Sequence, residues 1–151
     1  KKLNIDFIDV DNDIEKNTGM NISKIFENNW EKYLREIEDT TTLKFLKKNN
    51  TVISLGGGAF LNNKIKKELL DTHISFWIYW DDKTLIERLK DSKKRPIAHK
   101  SSRSEIIELI KKRSIIYSKA MYKINCENLT KNEIVKNIIE IYETHWFKGK
   151  N

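Results

Sequence analysis

T-V-I-S-L-G-G-G at residues 51–58 joins a short β-prone run to three consecutive glycines. The apolar run indicates a strand that is buried on both faces, as the strands of parallel sheets are. Glycines lack a Cβ, so a ligand can lie directly against the backbone N–H groups that follow the strand. Because open parallel sheets bind ligands beyond the carboxyl ends of their strands, this stretch predicts a ligand-binding loop. A plain flexible turn is the alternative that the glycines alone leave open.

Strands and helices are predicted to alternate along the rest of the chain. Short apolar or aromatic runs predict further strands, and apolar residues spaced three and four apart predict helices. The predicted strands are Asn4–Asp9, Ile74–Trp80 and Tyr122–Asn125, and the predicted helices are Asn21–Asn28, Trp30–Lys48, Lys64–Leu70, Lys83–Lys90, Ser102 to about Tyr117, and Thr130 onwards. The alternation predicts an α/β fold with a parallel sheet, in a single domain that spans residues 1–151.

Composition narrows the class of protein. The 151 residues carry a net charge of +7, but the lysines are scattered and are not interleaved with aromatic residues, which argues against a nucleic-acid-binding surface. A solvated surface whose field attracts anionic substrates accounts for the charge. We expect no signal peptide and no membrane span, because no apolar run of about 18 residues occurs. The single cysteine, Cys126, excludes an internal disulfide and suits a reducing cytoplasm; we expect it to be a small near-core residue.

Two aspartates, Asp9 and Asp11, follow the first predicted strand, as the glycine triplet Gly56–Gly58 follows the second. Both sets belong at the same edge of a parallel sheet. Carboxylates at that edge can hold Mg²⁺ through waters or accept the proton of a hydroxyl group. A turn that caps a helix is the alternative, with only a brief helical turn expected at Ile14–Lys16 before Gly19.

Three arginines are candidates for binding an anionic substrate. Arg35 lies on a predicted helix, where pairing with Glu38 or Asp39 is the alternative. Arg95 lies in a loop at about residues 92–102, which we expect to be an exposed mobile lid. There Arg95 can reach a transferring phosphoryl group, or it can be one more solvated charge. Arg113 lies near the end of its helix, where complementing the helix dipole is the alternative.

The order and spacing of these motifs resemble those of the shikimate kinase family over nearly the whole chain. The resemblance rests on F-I-D-V-D at residues 7–11, L-R-E-I-E at 34–38, L-G-G-G-A at 55–59, R-P at 95–96, and Arg113 with Tyr117. It implies a P-loop kinase with the three-layer α/β fold of nucleoside monophosphate kinases, which transfers the γ-phosphate of ATP to the 3-hydroxyl of shikimate. It also implies Mg²⁺ as the cofactor, shikimate and ATP as the partners, a monomer, and a cytoplasmic location.

The resemblance also implies a substrate site. Asp11 would bind the hydroxyl groups of shikimate and help to deprotonate the one that attacks. Arg35 and Arg113 would hold the shikimate carboxylate, for which a planar guanidinium is suited. Glu38 would orient Arg35.

Further implied roles concern the glycine triplet, the lid and the metal. The N–H groups of Gly57 and Gly58 would contact the substrate, and Gly56 would fix the turn. Arg95 would come from the lid, contact ATP and neutralise charge on the transferring group. Asp9 would assist the Mg²⁺ site.

One part of the family's pattern is missing from these residues. The family carries a strand followed by G-x-x-G-x-G-K-[ST], whose N–H groups, lysine and hydroxyl hold the phosphates of ATP. The sequence contains no such motif. We therefore expect that strand and loop to lie upstream of Lys1. In the sheet, the missing strand would lie between Thr51–Leu55 and Ile74–Trp80. Without it, we expect residues 1–151 to be inactive and poorly folded. The alternatives are a non-catalytic binding or regulatory protein of this fold and a related kinase, for instance one for gluconate.

Overall fold

Strands and helices alternate in the computed structural model, which describes residues 3–27, 31–91 and 101–148. The elements, in chain order, are β1 (Asp6–Asp9), α1 (Val10–Thr18), α2 (Ile22–Glu27), α3 (Glu31–Phe45), β2 (Thr51–Ser54), a 3₁₀ turn (Ala59–Leu61), α4 (Asn63–Thr72), β3 (Phe76–Tyr79), α5 (Asp82–Asp91), α6 (Arg103–Tyr117), β4 (Tyr122–Asn125) and α7 (Lys131–Lys148). None of the helices in these ranges combines the length and the apolar character that crossing a membrane requires. The predicted α/β class is confirmed.

The strands form two parallel pairs, β1 with β2 and β3 with β4. In the first pair Asp6 aligns with Thr51 and Asp9 aligns with Ser54. Parallel strands need a crossover connection between them, which α1, α2 and α3 provide for the first pair. The predicted parallel arrangement is therefore correct, and it brings the residues after β1 beside the glycines after β2.

β2 and β3 are each paired on one side only among the described strands, and they are not hydrogen-bonded to each other. The prediction that the strand at residues 51–55 is buried on both faces is wrong. Val52 is 49% exposed, and its neighbour in the register, Phe7, is 66% exposed. Ile53 faces the other way and packs on the core. In the described part of the chain no element covers the face that carries Phe7 and Val52, so burial alternates along the strand.

Helix α1 begins immediately after β1, which differs from the brief helical turn that we predicted at residues 14–16. Asp9 is the N-cap, and its Oδ1 accepts a hydrogen bond of 3.1 Å from the Asn12 N–H. Val10 and Ile14, one turn apart, are fully buried, and this burial explains why the helix forms so early. Gly19 ends the helix with a φ of 67°. Asp11 therefore lies in the first turn of a helix.

The core consists of three clusters of buried apolar side chains. The first joins α1, α2 and α3, the second surrounds the 3₁₀ turn and α4, and the third joins α5 to α6. Their buried members are Val10, Ile14, Ile25, Leu34 and Phe45; Leu46, Ala59, Phe60, Ile65 and Leu69; and Ile86, Ile106 and Ile110. Cys126 is fully buried, as predicted, and burial raises the pKa of its thiol.

The sequence predicts capping boxes at Ser102 with Glu105 and at Thr130 with Glu133, and both are present at the starts of α6 and α7. The Glu105 N–H donates to Ser102 Oγ at 3.3 Å, and the Glu133 N–H donates to Thr130 Oγ1 at 3.3 Å. The Ser102 N–H lowers the pKa of Glu105, and the Thr130 hydroxyl lowers the pKa of Glu133. These caps stabilise the fold above the unfolded-state pKa and lose that contribution as the pH falls through the lowered pKa values. The predicted mobile lid falls mostly at residues 92–100, outside the described residues.

Thr42 provides a test of packing around α3. Its side chain is fully buried, and its Oγ1 has no hydrogen-bond partner in the described ranges. An unpaired buried hydroxyl costs about 1–3 kcal/mol, so we expect Thr42→Val to raise the free energy of unfolding of the complete protein by about 1 kcal/mol in urea denaturation.

The matched control is Thr40→Val. The exposed Thr40 hydroxyl donates to the Glu36 carbonyl at 2.6 Å, and its replacement should change stability by less than about 0.5 kcal/mol. A clear loss of stability in Thr42→Val alone would contradict this description of the Thr42 environment.

Candidate active site

The glycine triplet is packed against side chains of α1 and α3. A Cβ on Gly56 would lie 2.5 Å from Glu38 Oε1 and 2.6 Å from Asp11 Oδ1. A Cβ on Gly58 would overlap Arg35 Nη1 and lie 2.6 Å from Glu38 Oε2. These distances are shorter than van der Waals contacts, so a side chain at either position would displace Asp11, Arg35 or Glu38 from the observed packing. Asp11, Arg35 and Glu38 therefore meet at this loop, although they come from separate stretches of sequence.

Gly57 differs from its neighbours because the protein itself leaves room for a side chain there. A Cβ on Gly57 would meet two atoms of the described chain within 4 Å, Arg113 Nη1 at 3.6 Å and Tyr117 Oη at 3.9 Å. Both are ordinary contact distances, and the backbone of Gly57 is not in the left-handed region. The Tyr117 hydroxyl donates to the Gly57 carbonyl at 2.5 Å. Helix α6 thus borders the loop at Gly57.

Arg35 and Glu38 form an ion pair, with 2.6 Å between Arg35 Nη1 and Glu38 Oε2. The Glu38 side chain is only 4% exposed, whereas that of Arg35 is 32% exposed. Arg35 Nη2 also lies 3.6 Å from Glu31 Oε1. Arg35 is thus paired with Glu38, which was the alternative prediction for this arginine. The carboxylate of Glu38, however, is buried against the glycine triplet, so the two residues do not form a solvated surface pair.

Arg113 lies four residues before the end of α6, and its guanidinium is beside Gly57. Its Nε is buried and has no hydrogen-bond partner among the described residues. Since the last turn of α6 carries no basic residue, complementing the helix dipole does not account for this arginine. Its guanidinium therefore lies at the glycine triplet, with Nη1 beside Gly57.

Two predicted site residues remain, Asp9 and Arg95. Asp9 caps α1, and its role at a Mg²⁺ site stays a prediction, while Asp11 is the aspartate that reaches Gly56. No group of three histidine, cysteine or acidic side chains in the described ranges could hold a metal ion by itself. Arg95 lies outside the described residues.

Two features of this region escaped the sequence analysis. The first is the contact of Glu38 with Gly56 and Gly58, since the sequence indicated only its pairing with Arg35. The second is a hollow of about 440 Å³ after β3 and β4, where Arg88 lies 3.6 Å above the Trp80 ring. The hollow is lined by Trp80, Asp81, Lys83, Thr84, Glu87, Glu127 and Asn128. A polar lining of scattered residues leaves no periodic signal in a sequence.

Comparisons with protein families and with individual relatives point to the same family. The profile of a family described as shikimate kinase matches residues 1–143. A shikimate kinase of Thermodesulfovibrio yellowstonii is 39% identical over 144 residues, which cover 95% of this chain and 83% of the relative. The shikimate kinase of Bacillus subtilis is 34% identical over 154 residues, with coverages of 97% and 80%.

Solved structures agree in fold. The crystal structure of shikimate kinase from Aquifex aeolicus has a TM-score of 0.82 at 36% identity, covering 95% of this chain and 84% of that one. A shikimate kinase from Acinetobacter baumannii in complex with shikimate has a TM-score of 0.86 at 24% identity, with coverages of 95% and 82%. The predicted three-layer kinase fold is confirmed.

The different constraints on the three glycines can be tested by stability. We expect Gly56→Ala to lower the free energy of unfolding by about 1–3 kcal/mol, because the added methyl group is forced against Asp11 and Glu38. Gly57→Ala is the matched control and should leave stability unchanged or slightly raised. Thermal and urea denaturation of both variants would measure this, and equal losses would contradict the described packing.

Proposed function

The chain belongs to the shikimate kinase family, ATP-dependent kinases that phosphorylate shikimate, and we propose that the cluster around the glycine triplet is its shikimate site. One observation carries the proposal: two guanidinium groups and a carboxylate converge on a loop without Cβ atoms. Arg113 lies at Gly57, Arg35 at Gly58, and Asp11 at Gly56. Family membership also favours an enzyme over a non-catalytic binding protein, and shikimate over gluconate.

The two arginines are suited to the carboxylate of shikimate. Arg113 Nη1 lies beside Gly57, and a carboxylate is the group that a planar guanidinium binds best. Arg35 is held in one orientation by Glu38, so little conformational freedom is lost when it binds an anion. The room for a methyl group beside Gly57 marks the point at which we propose that the substrate contacts the loop.

Asp11 supplies the group that the reaction requires at a hydroxyl. Its carboxylate reaches Gly56, at the carboxyl ends of β1 and β2, where it can accept hydrogen bonds from substrate hydroxyls. During transfer, it would take the proton of the hydroxyl that attacks phosphorus. Phosphoryl transfer involves little covalent chemistry by the protein, so catalysis depends mainly on positioning the substrates and neutralising charge. We propose that Arg95 neutralises charge on the transferring phosphoryl group.

The ATP phosphates need a binding loop, and the unpaired sides of β2 and β3 indicate where it belongs. We propose that a further parallel strand, outside the 151 residues, pairs with both. A phosphate-binding loop at its carboxyl end would lie between the glycine triplet and the hollow after β3. We also propose that residues 1–151 belong to a single domain and that residues 92–102, approximately, form its mobile lid.

Mg²⁺ fits this arrangement as an ion held mainly by phosphates and water. Magnesium usually keeps several waters and takes only one or two carboxylates, which agrees with the absence of a three-ligand cluster in the described ranges. Asp9 and Asp11 would hold it through waters. When bound, the ion neutralises charge on the phosphates. We also propose a cytoplasmic monomer, for which the buried, unpaired Cys126 is consistent with a reducing compartment.

Gly57→Ala separates binding from folding. The methyl group would occupy the space beside Arg113 without disturbing the packing, so we expect the KM for shikimate to rise at least about tenfold while the melting temperature stays the same. Steady-state assays of shikimate-dependent ADP formation by the complete enzyme would measure this. An unchanged KM for shikimate would contradict the assignment of the glycine triplet to the shikimate site.

Arg113→Lys tests the carboxylate contact. Lysine keeps the charge but cannot offer a planar donor pair, so we expect shikimate binding to weaken by about 1.5–3 kcal/mol in calorimetric titrations.

Arg103→Lys is the matched control, since Arg103 is an exposed residue at the other end of α6. Equal affinities of both variants and the wild type would rule out the contact.

A further inference from the structure

The hydrogen bond from Tyr117 to Gly57 links parts of the chain that are 60 residues apart. Its Oη–O distance is 2.5 Å, and the Tyr117 ring centroid lies 6.3 Å from those of Phe60 and Trp77. The ring is therefore held by two aromatic neighbours, and the hydroxyl is directed at a single backbone carbonyl. Nothing in the assigned chemistry uses this residue.

The consequence concerns the peptide bond between Gly57 and Gly58. This peptide is trans, so the Gly57 C=O and the Gly58 N–H point in opposite directions. Fixing the carbonyl toward Tyr117 directs the Gly58 N–H away from it. Neither the Gly57 N–H nor the Gly58 N–H donates to a backbone carbonyl in the described part of the chain. Without Tyr117, a peptide flanked by two glycines would rotate easily.

We propose that Tyr117 is a positioning residue, whose hydroxyl holds the Gly57–Gly58 peptide in the orientation that presents the Gly58 N–H to shikimate. The inference rests on the proposed shikimate site. Tyr117 lies one helical turn after Arg113, so both side chains are on the same face of α6. One helix thus carries the arginine that binds the substrate and the tyrosine that orients the loop.

Tyr117→Phe in the complete enzyme tests this. The variant keeps the ring contacts and loses only the hydroxyl, so we expect the KM for shikimate to rise about five- to tenfold, with the KM for ATP and the melting temperature unchanged. The control is Tyr122→Phe, which removes a hydroxyl that lies 2.9 Å from His145 Nδ1, and its KM for shikimate should equal that of the wild type.

An amide spectrum provides an independent measurement. In ligand-free Tyr117→Phe, the Gly58 N–H resonance should shift and broaden, whereas that of Gly19, which caps α1, should not change. A wild-type KM in Tyr117→Phe overturns the inference, as does an equal rise in both KM values with a lower melting temperature. Wild-type protein without shikimate-dependent ADP formation would instead overturn the proposed function.

Discussion

The ion pair between Arg35 and the buried carboxylate of Glu38 is the interaction on which the candidate site depends. A carboxylate that is almost fully removed from water is strongly unfavourable without a partner, so Arg35 must remain beside it. The same carboxylate lies against the backbone of Gly56 and Gly58. Glu38 therefore fixes Arg35 and also packs helix α3 against the glycine triplet, where Gly56 and Gly58 leave room for its carboxylate.

The positive charges of the two arginines beside the triplet are balanced by carboxylates to different extents. The charge of Arg35 is balanced by Glu38 and partly by Glu31, whereas Arg113 has no ion pair within the described ranges and keeps a buried, unpaired donor. Arg35 therefore contributes mainly direction, and Arg113 contributes most of the uncompensated positive charge. An anion that binds between them is attracted by one and aligned by the other.

Local patterns of sequence predicted the elements well, and the failures occurred where distant residues decide the outcome. β4 has the predicted bounds, and both capping boxes form, because each depends on residues a few positions apart. The burial of Val52 depends on what packs across the sheet, which its own sequence neighbours do not encode. Asp11, Arg35 and Arg113 were identified from motifs, but the contact between Tyr117 and Gly57 spans 60 residues and had no local signal.

The unequal constraints on the three glycines bear on how this loop can evolve. At two of the positions a Cβ would collide with the side-chain ends of Asp11, Arg35 or Glu38, so the packing of the site favours glycine there. At Gly57 nothing in the described fold opposes a methyl group, so under the proposed function the constraint there would come from shikimate. A lineage that exchanged its substrate would be free to diversify at that single position while the flanking glycines stayed fixed, so variation at Gly57 among homologues would mark changes of specificity.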